Sequence, residues 1–540
     1  MKSFIFLLLC LLQYANCDYH INVTIQETSA VITGWLHPYG KSWRGIPYAL
    51  SPIGTRRFMY AQEKIPTGYI SALSYDSICK QGAQGSEDCL YLNVFSSVKS
   101  SSTDRLPVYV FIHGGGFVEG SGEVGPGIYP TLVDKGLILV TFNYRLGPFG
   151  FFSTRDTIAP GNFAISDCIE ALKWVQRYIS NFGGDPKRVT VGGHSSGAEA
   201  VSFLSLTNAA KGLYSKLIIQ SGSAFGAAVM SYSEKTRNTS AQLAVAADCA
   251  TKDQWDSGSD FGPIVNCLRD LSAADIVKYD SNLPSHRMKW SGVADKKYFP
   301  TRLETLALQR PSVPVLIGDV HDEWLAMEEG AIENNLNSSS NSQDGLRQTL
   351  KYAYEMTYWD NQNAVYVAAA NKYINNQQYA ADDHVSWMAQ HIKLYSEMVF
   401  IGPVLRDAKY FAYTRSNVFL YSFDYLAPQA LPAITQPQLR GVPHAWELQY
   451  VMNTNCEGWL CTSDDDTLRT ITSDIWANFI ISGNPSPAGS SLPFSFPRIG
   501  SANSYVSLKP NPTTNLRFHD DSMFWACTAP TIDGYAPPFC

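Results

Sequence analysis

Short apolar runs, each ended by a polar or glycine-rich turn, recur along much of the chain. The runs at 108–112 and 137–142 are continuous, which is typical of strands buried on both faces of a sheet. Between 165 and 179 the apolar positions instead recur every three or four residues, at Ile165, Cys168, Leu172, Val175 and Ile179. This spacing predicts a helix with Cys168 as a buried thiol on its inner face.

The same reading extends to most of the chain. Further strands are predicted at 28–34, 43–48, 90–95, 188–191, 217–221, 314–318 and 418–423, and a further helix at 471–481. Strands that alternate with helices favour a largely parallel sheet covered on both faces, an α/β fold. No internal repeat or linker interrupts the pattern, so we predict one domain over residues 18–540 with helical insertions.

A glycine-flanked serine stands where the strand 188–191 turns into a small-residue helix that ends near Leu206. Gly193 and Gly197 lie two residues on either side of Ser195, giving the spacing G-x-S-x-G. On a sharp turn of this kind, neighbours that carry a Cβ atom would collide, and the backbone strain projects the serine hydroxyl outward. The N–H group of Ser196 points the same way from the start of the helix. The pattern predicts that Ser195 is a nucleophile.

A run of three glycines follows the strand 108–112. His113 opens this run, which continues Gly114-Gly115-Gly116. Three glycines in succession cost conformational entropy. We interpret them as a loop whose N–H groups converge on an anion, with His113 bracing the loop.

A nucleophilic serine needs a base, and the base needs an acid that orients it. His444 lies in a turn-rich segment after the strand 418–423, whereas the side chain of His194, beside Ser195, should point away from the hydroxyl. Three carboxylates, Asp319, Asp322 and Glu323, crowd the loop after 314–318, and spacing alone does not choose among them. These candidates all follow apolar strands, whose carboxyl ends meet at one edge of a parallel sheet.

Composition narrows the class of protein. Over 540 residues, 45% are hydrophobic and only 16% are charged, which argues against disorder and allows a large core. The net charge of −7 disfavours a nucleic-acid partner. The aromatic content of 13% exceeds what a core usually needs; an aromatic-lined pocket and simple burial explain it equally well.

The N-terminus reads as a signal peptide. Residues 1–17 combine Lys2, an apolar run from Phe4 to Leu12 and the small-residue end Ala15-Asn16-Cys17. The run is too short to span a bilayer, and no later stretch is long and apolar enough to do so. We therefore expect a secreted protein without a membrane span. Three N-x-S/T triplets, at Asn22, Asn238 and Asn337, are candidate glycosylation sites.

The cysteines beyond this segment fall into near neighbours. Cys79 is close to Cys89, Cys249 to Cys267, Cys456 to Cys461 and Cys527 to Cys540, with Cys168 left over. Sequence does not prove connectivity, and the last two pairs could be exchanged. The spacings contain no C-x-x-C or H-x-x-x-H cluster typical of a metal site, so we expect disulfides and neither a metal nor a cofactor.

Taken together, these motifs resemble the type-B carboxylesterases, a family that includes cholinesterases and the non-catalytic neuroligin-like adhesion proteins. The resemblance covers nearly all of the chain beyond residue 17. It rests on Arg44-Gly-Ile-Pro-Tyr48, Ser86-Glu-Asp-Cys-Leu-Tyr-Leu-Asn93, His113-Gly-Gly-Gly-Phe117, Asn143-Tyr-Arg-Leu-Gly147, Phe182-Gly-Gly-Asp-Pro186, the turn at Ser195, Gln220-Ser-Gly222, Asp322-Glu323, Gly441 to Val451 and Trp476-Ala-Asn-Phe479.

The resemblance implies an α/β-hydrolase fold and assigns roles to residues. It implies Ser195 as nucleophile, Glu323 as acid and His444 as base. It implies an oxyanion hole formed by the N–H groups of Gly115, Gly116 and Ser196. It also supports the disulfides Cys79–Cys89 and Cys249–Cys267, while Cys456, Cys461, Cys527 and Cys540 have no firm counterpart in the family.

The chain departs from the family pattern at three places. His194 stands where the family usually has Glu, and Trp324 stands where it usually has Gly. The segment from Cys79 to Cys89 is short and lacks the tryptophan with which cholinesterases hold a quaternary ammonium by a cation–π contact. We therefore do not expect choline ester specificity. Trp324 could narrow the pocket or alter the setting of Glu323.

The resulting prediction is a secreted serine carboxylesterase that acts on small-molecule esters through an acyl-enzyme. Two alternatives stay open on sequence alone. One is a non-catalytic, neuroligin-like binding protein. The other is an acyltransferase that uses the same three residues with an alcohol in place of water.

Overall fold

A single large sheet organises the chain in the computed structural model, which describes residues 18–226, 235–258, 260–284, 289–357, 360–432, 434–452, 462–516 and 518–540. The predicted signal peptide, Cys456 and Cys461 lie outside these residues. Within them, the sheet has 13 strands. They are Tyr19–Thr24 (β1), Val31–His37 (β2), Gly40–Pro47 (β3), Tyr69–Ser71 (β4), Tyr91–Ser96 (β5), Leu106–Ile112 (β6), Ile138–Phe142 (β7), Gly184–His194 (β8), Lys216–Gln220 (β9), Val315–Val320 (β10), Val418–Phe423 (β11), Tyr505–Leu508 (β12) and Thr513–Asn515 (β13).

The helices of the described residues surround this sheet. The α-helices are Ile128–Thr131 (α1), Gly147–Phe151 (α2), Phe163–Tyr178 (α3), Ser196–Leu206 (α4), Lys235–Ala246 (α5), Lys252–Ser257 (α6), Gly262–Asp270 (α7), Ala273–Ser281 (α8), Leu303–Ala307 (α9), Leu325–Asn335 (α10), Gln343–Thr357 (α11), Gln362–Ala370 (α12), His384–Tyr395 (α13), Gly402–Tyr413 (α14), Leu448–Val451 (α15), Ser463–Ser482 (α16) and Ala529–Ile532 (α17). Short π-helical segments occupy Asn371–Asn375, Ser396–Ile401 and Phe524–Thr528.

The sheet order is β1-β2-β3-β5-β7-β6-β8-β9-β10-β11-β12-β13, with β4 paired to β2. From β7 to β12 each neighbouring pair is parallel, whereas β1, β2, β3 and β5 on one side and β13 on the other pair antiparallel. This is the mostly parallel α/β-hydrolase architecture that the sequence predicts. The carboxyl ends of the parallel strands lie at one edge.

Burial explains why the central strands read as continuous apolar runs. The residues of β7, β9, β10 and β11 are buried throughout, because one apolar cluster lies on each face of the sheet. Val110 and Val191 belong to one cluster, and Tyr109 and Leu316 belong to the other. Helix α3 packs its apolar face on the first cluster, and Cys168 is a buried free thiol on that face.

The structure contains three disulfides among the described residues. Cys79–Cys89 and Cys249–Cys267 are the two bonds that the family resemblance implies. A third joins Cys527 to Cys540. The sequence had left open whether these two cysteines pair with each other or exchange partners with Cys456 and Cys461. None of the helices described here has both the length and the apolar character that a membrane crossing requires.

Candidate active site

Ser195 occupies the turn between β8 and α4 with backbone angles of φ 57° and ψ −129°. Residues other than glycine rarely adopt these angles. Neighbouring backbone holds them: the Ser195 N–H donates to the carbonyl of Gln220 at 2.8 Å, and the Ser195 carbonyl accepts from the Glu199 N–H at 3.0 Å. A strained residue fixed in this way is a frequent sign of a functional position, and it matches a nucleophile elbow.

The two glycines that flank Ser195 are required by close packing. A Cβ atom on Gly193 would lie 2.5 Å from the carbonyl carbon of Gly197, and one on Gly197 would lie 2.1 Å from the carbonyl oxygen of Ile112. Helix α4 therefore rests directly on the ends of β6 and β8. This contact confirms the steric reason predicted for the G-x-S-x-G spacing.

The glycine loop after β6 lies against the start of α4. Gly115 and Gly116 have φ angles of 114° and 60°, and a Cβ atom on Gly115 would lie 2.1 Å from the carbonyl oxygen of Glu119. The Phe117 N–H donates to the Ser196 hydroxyl at 3.1 Å, which ties the loop to α4. Within the described residues, no hydrogen bond uses the N–H groups of Gly115, Gly116 or Ser196.

His113 braces this loop, as expected. Its Nδ1 lies 2.8 Å from the carbonyl oxygen of Gly114, and its ring stacks on Tyr144 with centroids 4.4 Å apart. The Tyr144 hydroxyl donates to the His113 carbonyl at 2.8 Å. Burial lowers the pKa of His113 to about 4, so the imidazole is neutral near pH 7.

Glu323 and His444, which are 121 residues apart in the chain, form a hydrogen bond. Glu323 is fully buried. Its Oε1 accepts from the Val320 N–H at 3.0 Å, and its Oε2 bonds to Nδ1 of His444. Burial lowers the pKa of His444, but the charge and hydrogen bond of Glu323 outweigh burial, so the net pKa is raised. Among the described residues, no hydrogen bond joins Nε2 of His444 to the Ser195 hydroxyl.

Asp322 has a different position from its neighbour Glu323. Its N–H donates to the carbonyl of Val442 at 3.0 Å, and its Oδ2 accepts from the Val442 N–H at 2.9 Å. His321 also contacts this carboxylate, at 3.0 Å, and this hydrogen bond is the main reason that the pKa of His321 is raised to about 9. Asp322 therefore fastens the segment that carries His444 beside Glu323. The residue after His444, Ala445, has a φ angle of 70°.

Asp319, the third candidate carboxylate, lies fully buried in β10. Neither of its oxygens has a hydrogen-bond partner among the described residues. Burial, followed by the charges of Glu323, Asp424 and Glu447, raises its pKa well above the ordinary value. Burial therefore disfavours the charged form of Asp319, and among the described residues no hydrogen bond joins it to His444.

Glu447 was given no role by the sequence, although it follows His444 by three residues. It is fully buried, and its Oε1 lies 3.7 Å from Nε2 of His194. The ring of His194 in turn lies 4.6 Å from that of His444, centroid to centroid. The spacing H-x-x-E after a candidate base is the signal that could have directed attention to it.

The three glycosylation candidates differ in exposure. Asn22 is exposed on β1, and Asn337 is exposed just after α10. Asn238 is half-buried in α5, and the triplet residue Ser240 is fully buried.

A comparison with family models matches residues 33–525 to the carboxylesterase family. The chain belongs to this family. A carboxylesterase hydrolyses carboxylic esters, so the chain is a carboxylic ester hydrolase whose substrates are small-molecule esters.

Several curated relatives are similar over most of this carboxylesterase. Human carboxylesterase 5A is 29% identical over 90% of this chain and 85% of the relative. The juvenile hormone esterase of Tribolium castaneum is 30% identical over 83% of this chain and 80% of the relative. Mouse neuroligin-3 is 28% identical over 88% of this chain and 62% of the relative.

Trp324, one of the departures from the family pattern, packs in an apolar cluster with Tyr395 and Phe400 in this carboxylesterase. Its N–H donates to the Ser396 hydroxyl at 2.9 Å, and its indole N–H donates to Glu328 at 2.9 Å. Its ring contacts Phe400 with centroids 6.4 Å apart, and Phe400 lies 4.7 Å from the ring of His444. Phe400 therefore contacts both Trp324 and the base.

Proposed function

We propose that this chain is a secreted serine carboxylesterase in which Ser195, His444 and Glu323 form the catalytic triad. The observation that carries the proposal is the buried Glu323–His444 hydrogen bond, which lies at the same sheet edge as the strained turn of Ser195. A histidine oriented by a buried carboxylate is the general base that a serine nucleophile requires.

In the first half of the proposed reaction, the Ser195 hydroxyl attacks the ester carbonyl while Nε2 of His444 takes its proton. Glu323 holds Nδ1–H of His444 and stabilises the imidazolium that forms. His444 then gives the proton to the leaving alcohol, and the acyl group remains on Ser195.

The negative charge that develops on the carbonyl oxygen would be stabilised by the N–H groups of Gly115, Gly116 and Ser196. These donors are fixed by the loop geometry before substrate binds, and each such donor is worth about 10²–10³ in rate. In the second half of the reaction, water attacks the acyl-enzyme along the same path, with His444 again as base and then acid.

A fluorophosphonate probe tests the nucleophile. We expect the full chain to be labelled with loss of activity toward a short-chain aryl ester. We expect Ser195→Ala to be neither labelled nor active. Ser205→Ala serves as the matched control, since Ser205 lies on the same helix and its hydroxyl donates to the carbonyl of Ser202. Full activity in the Ser195 variant would reject this nucleophile.

The same assay separates the alternatives. An unlabelled, inactive wild-type chain would favour a binding protein. This chain is similar to mouse neuroligin-3 over 62% of the length of that protein. Product analysis with a competing alcohol would distinguish acyl transfer from hydrolysis, because transfer yields a new ester in place of the free acid.

The proposal of secretion rests on residues 1–17 and the cysteine usage. We expect expression in an insect or mammalian host to release the protein into the medium with an N-terminus near Asp18. Endoglycosidase treatment should reduce its mass, and single Asn→Gln variants at Asn22, Asn238 and Asn337 identify which sites carry glycans. Retention of residues 1–17 in the product would contradict the signal peptide.

A further inference from the structure

A second histidine–glutamate pair lies directly against the His444–Glu323 pair. We call it the rear pair; it consists of His194 and Glu447. The rings of His194 and His444 have centroids 4.6 Å apart and are tilted by 39°, and Nε2 of His194 lies 3.7 Å from Oε1 of Glu447. Both side chains of the rear pair are buried.

The hydrogen bonding of the rear pair is incomplete. In the described part of the chain, neither Nε2 of His194 nor Oε2 of Glu447 has a hydrogen-bond partner. Oε1 of Glu447 accepts a long bond of 3.4 Å from the amide of Gln220, whose oxygen in turn accepts from the Trp476 indole at 3.3 Å. A buried carboxylate with so little support is costly to keep charged. A short movement would bring Nε2 of His194, now 3.7 Å away, within hydrogen-bond distance of this carboxylate.

His194 also contacts the glycine loop. A Cβ atom on Gly114 would lie 3.3 Å from Nδ1 of His194, so the ring lies against the backbone that leads into the proposed oxyanion hole. The imidazole therefore touches three parts of the site at once: the loop, the ring of His444 and the carboxylate of Glu447.

We infer that His194 and Glu447 bind one proton between them, and that this proton controls the negative charge that supports His444. With the proton bound, the rear pair has no net charge. Without it, Glu447 is an anion that favours the imidazolium of His444, while Nε2–H of His194 donates to the carboxylate and keeps it charged. His194 acts through His444 and is a positioning residue. The inference rests on the proposed function of His444.

The charges around the rear pair agree with this role. Burial, followed by the charge of Glu323, raises the pKa of Glu447 to about 7. Burial, followed by His444, lowers the pKa of His194 well below its ordinary value, so its imidazole is neutral. The other titratable groups that interact with Glu447 are Asp319 and Tyr421, and burial raises the pKa of each well above its ordinary value.

The test is the pH dependence of kcat/KM with a short-chain aryl ester, which reports the ionisations of the free enzyme. His194→Phe retains a ring but loses the N–H group that donates to Glu447, so the carboxylate of Glu447 binds a proton more readily. His444 then loses part of the negative charge that supports its imidazolium, so its pKa falls. We expect the midpoint of the acid limb to move down by about one pH unit. His194→Gln retains an N–H donor and should move it less. In a Glu447→Gln background, His194→Phe should cause no shift, since the titrating partner is absent.

Two controls make the outcome decisive. His384→Phe makes the same change at a histidine whose Nδ1 contacts the carbonyl of Asn341, far along the chain from the triad, and should leave the midpoint in place. Fluorophosphonate labelling shows whether each variant still presents a reactive serine. A wild-type chain that is not labelled contradicts the proposed function itself. Two results would overturn the inference about the rear pair and leave the proposed function intact. One is a labelled His194→Phe variant whose acid-limb midpoint equals that of the wild type. The other is a shift of the midpoint by His194→Phe that persists in the Glu447→Gln background.

Discussion

At the scale of single residues, the decisive feature is how burial divides the carboxylates around His444. Glu323 bonds to the base, and Asp322 bonds to the backbone of Val442. Asp319 has no hydrogen-bond partner among the described residues, and Nε2 of His519 lies 3.9 Å from its Oδ1. Three acidic residues within five positions thus have three different roles, because consecutive side chains at a strand end point in different directions.

Removing the charge of Glu323 should change both the rate and the pH dependence. Glu323 is the group that raises the pKa of His444 against the opposing effect of burial. In Glu323→Gln the burial effect remains, so the pH at which His444 becomes a free base should fall. The plateau of kcat should drop by about 10³-fold or more because the imidazolium loses its partner.

The measurement is the pH profile of ester hydrolysis for this variant beside Glu328→Gln. Glu328 is also buried, but it bonds to the Trp324 indole rather than to the base. Its variant should retain the wild-type midpoint. A midpoint for Glu323→Gln at or above that of the wild type would contradict the assignment of Glu323.

At the scale of elements, the site depends on how closely α4 approaches the sheet. Sequence patterns located most of the central strands: the predicted strand 418–423 coincides with β11, and 137–142 differs from β7 by one residue. The prediction at 188–191 found only part of β8, which runs from Gly184 to His194. The additional residues of β8 are in the strand because they pair with β6, where Leu106 lies opposite Gly184. The local sequence of β8 does not indicate which strand it pairs with.

Three short strands were missed for a related reason. The strands β4, β12 and β13 have only three or four residues each. So few residues show neither a run nor an alternation, and each strand exists because a longer neighbour supplies its hydrogen bonds.

Replacing Gly197 by alanine should disturb α4. Alanine usually stabilises a helix by about 1 kcal/mol relative to glycine. At this position, however, its Cβ would lie 2.1 Å from the carbonyl oxygen of Ile112. The helix must move, which displaces Ser195, so we expect lower stability and at least about a tenfold loss of kcat/KM.

Gly330→Ala is the matched control, because Gly330 lies in α10 and its added Cβ meets no atom within 4 Å. This variant should be as stable as the wild type or more so, with unchanged activity. Thermal unfolding and ester kinetics on both variants check the pair. Equal behaviour of the two would show that the contact between α4 and β6 does not constrain the site.

At the scale of the whole molecule, a buried acid with a raised pKa in the central sheet links stability to pH. The pKa of Asp319 is raised in the folded protein, whereas in the unfolded chain it ionises near the ordinary value of about 3.9. Between these two values the folded state binds the additional proton. The contribution of Asp319 to stability therefore falls as pH rises above the ordinary carboxyl range.

Asp319→Asn should remove this dependence and raise the free energy of unfolding at pH 7. The gain should be about 1 kcal/mol or more, since a tenfold change in a protonation equilibrium corresponds to about 1.4 kcal/mol. Denaturant unfolding at pH 5 and pH 8 measures it, with the difference from wild type larger at pH 8. The exposed Asp270→Asn, at the end of α7, is the control and should change stability little at either pH. A loss of stability in Asp319→Asn at pH 8 would mean that Asp319 is charged.

The sequence by itself determined the features that depend on neighbours along the chain. These are the apolar runs of the central strands, the glycines around Ser195 and in the loop after His113, and the motif order that resembles the carboxylesterases. Each follows from local sterics or from burial, which leave a periodic or fixed spacing in the sequence. The catalytic roles of Ser195, His444 and Glu323 are still predictions that the labelling experiment tests.

Only the tertiary structure decided which distant groups meet. It joined Glu323 to His444 across 121 residues. It left Asp319 buried without a hydrogen bond to any described residue, and it placed His194 and Glu447 beside the base. The physical reason is that the charge of a carboxylate depends on the dielectric surroundings and on its partners in space. Packing of the whole chain determines both the dielectric surroundings and these partners. Neither of them produces a regular spacing of residues in the sequence.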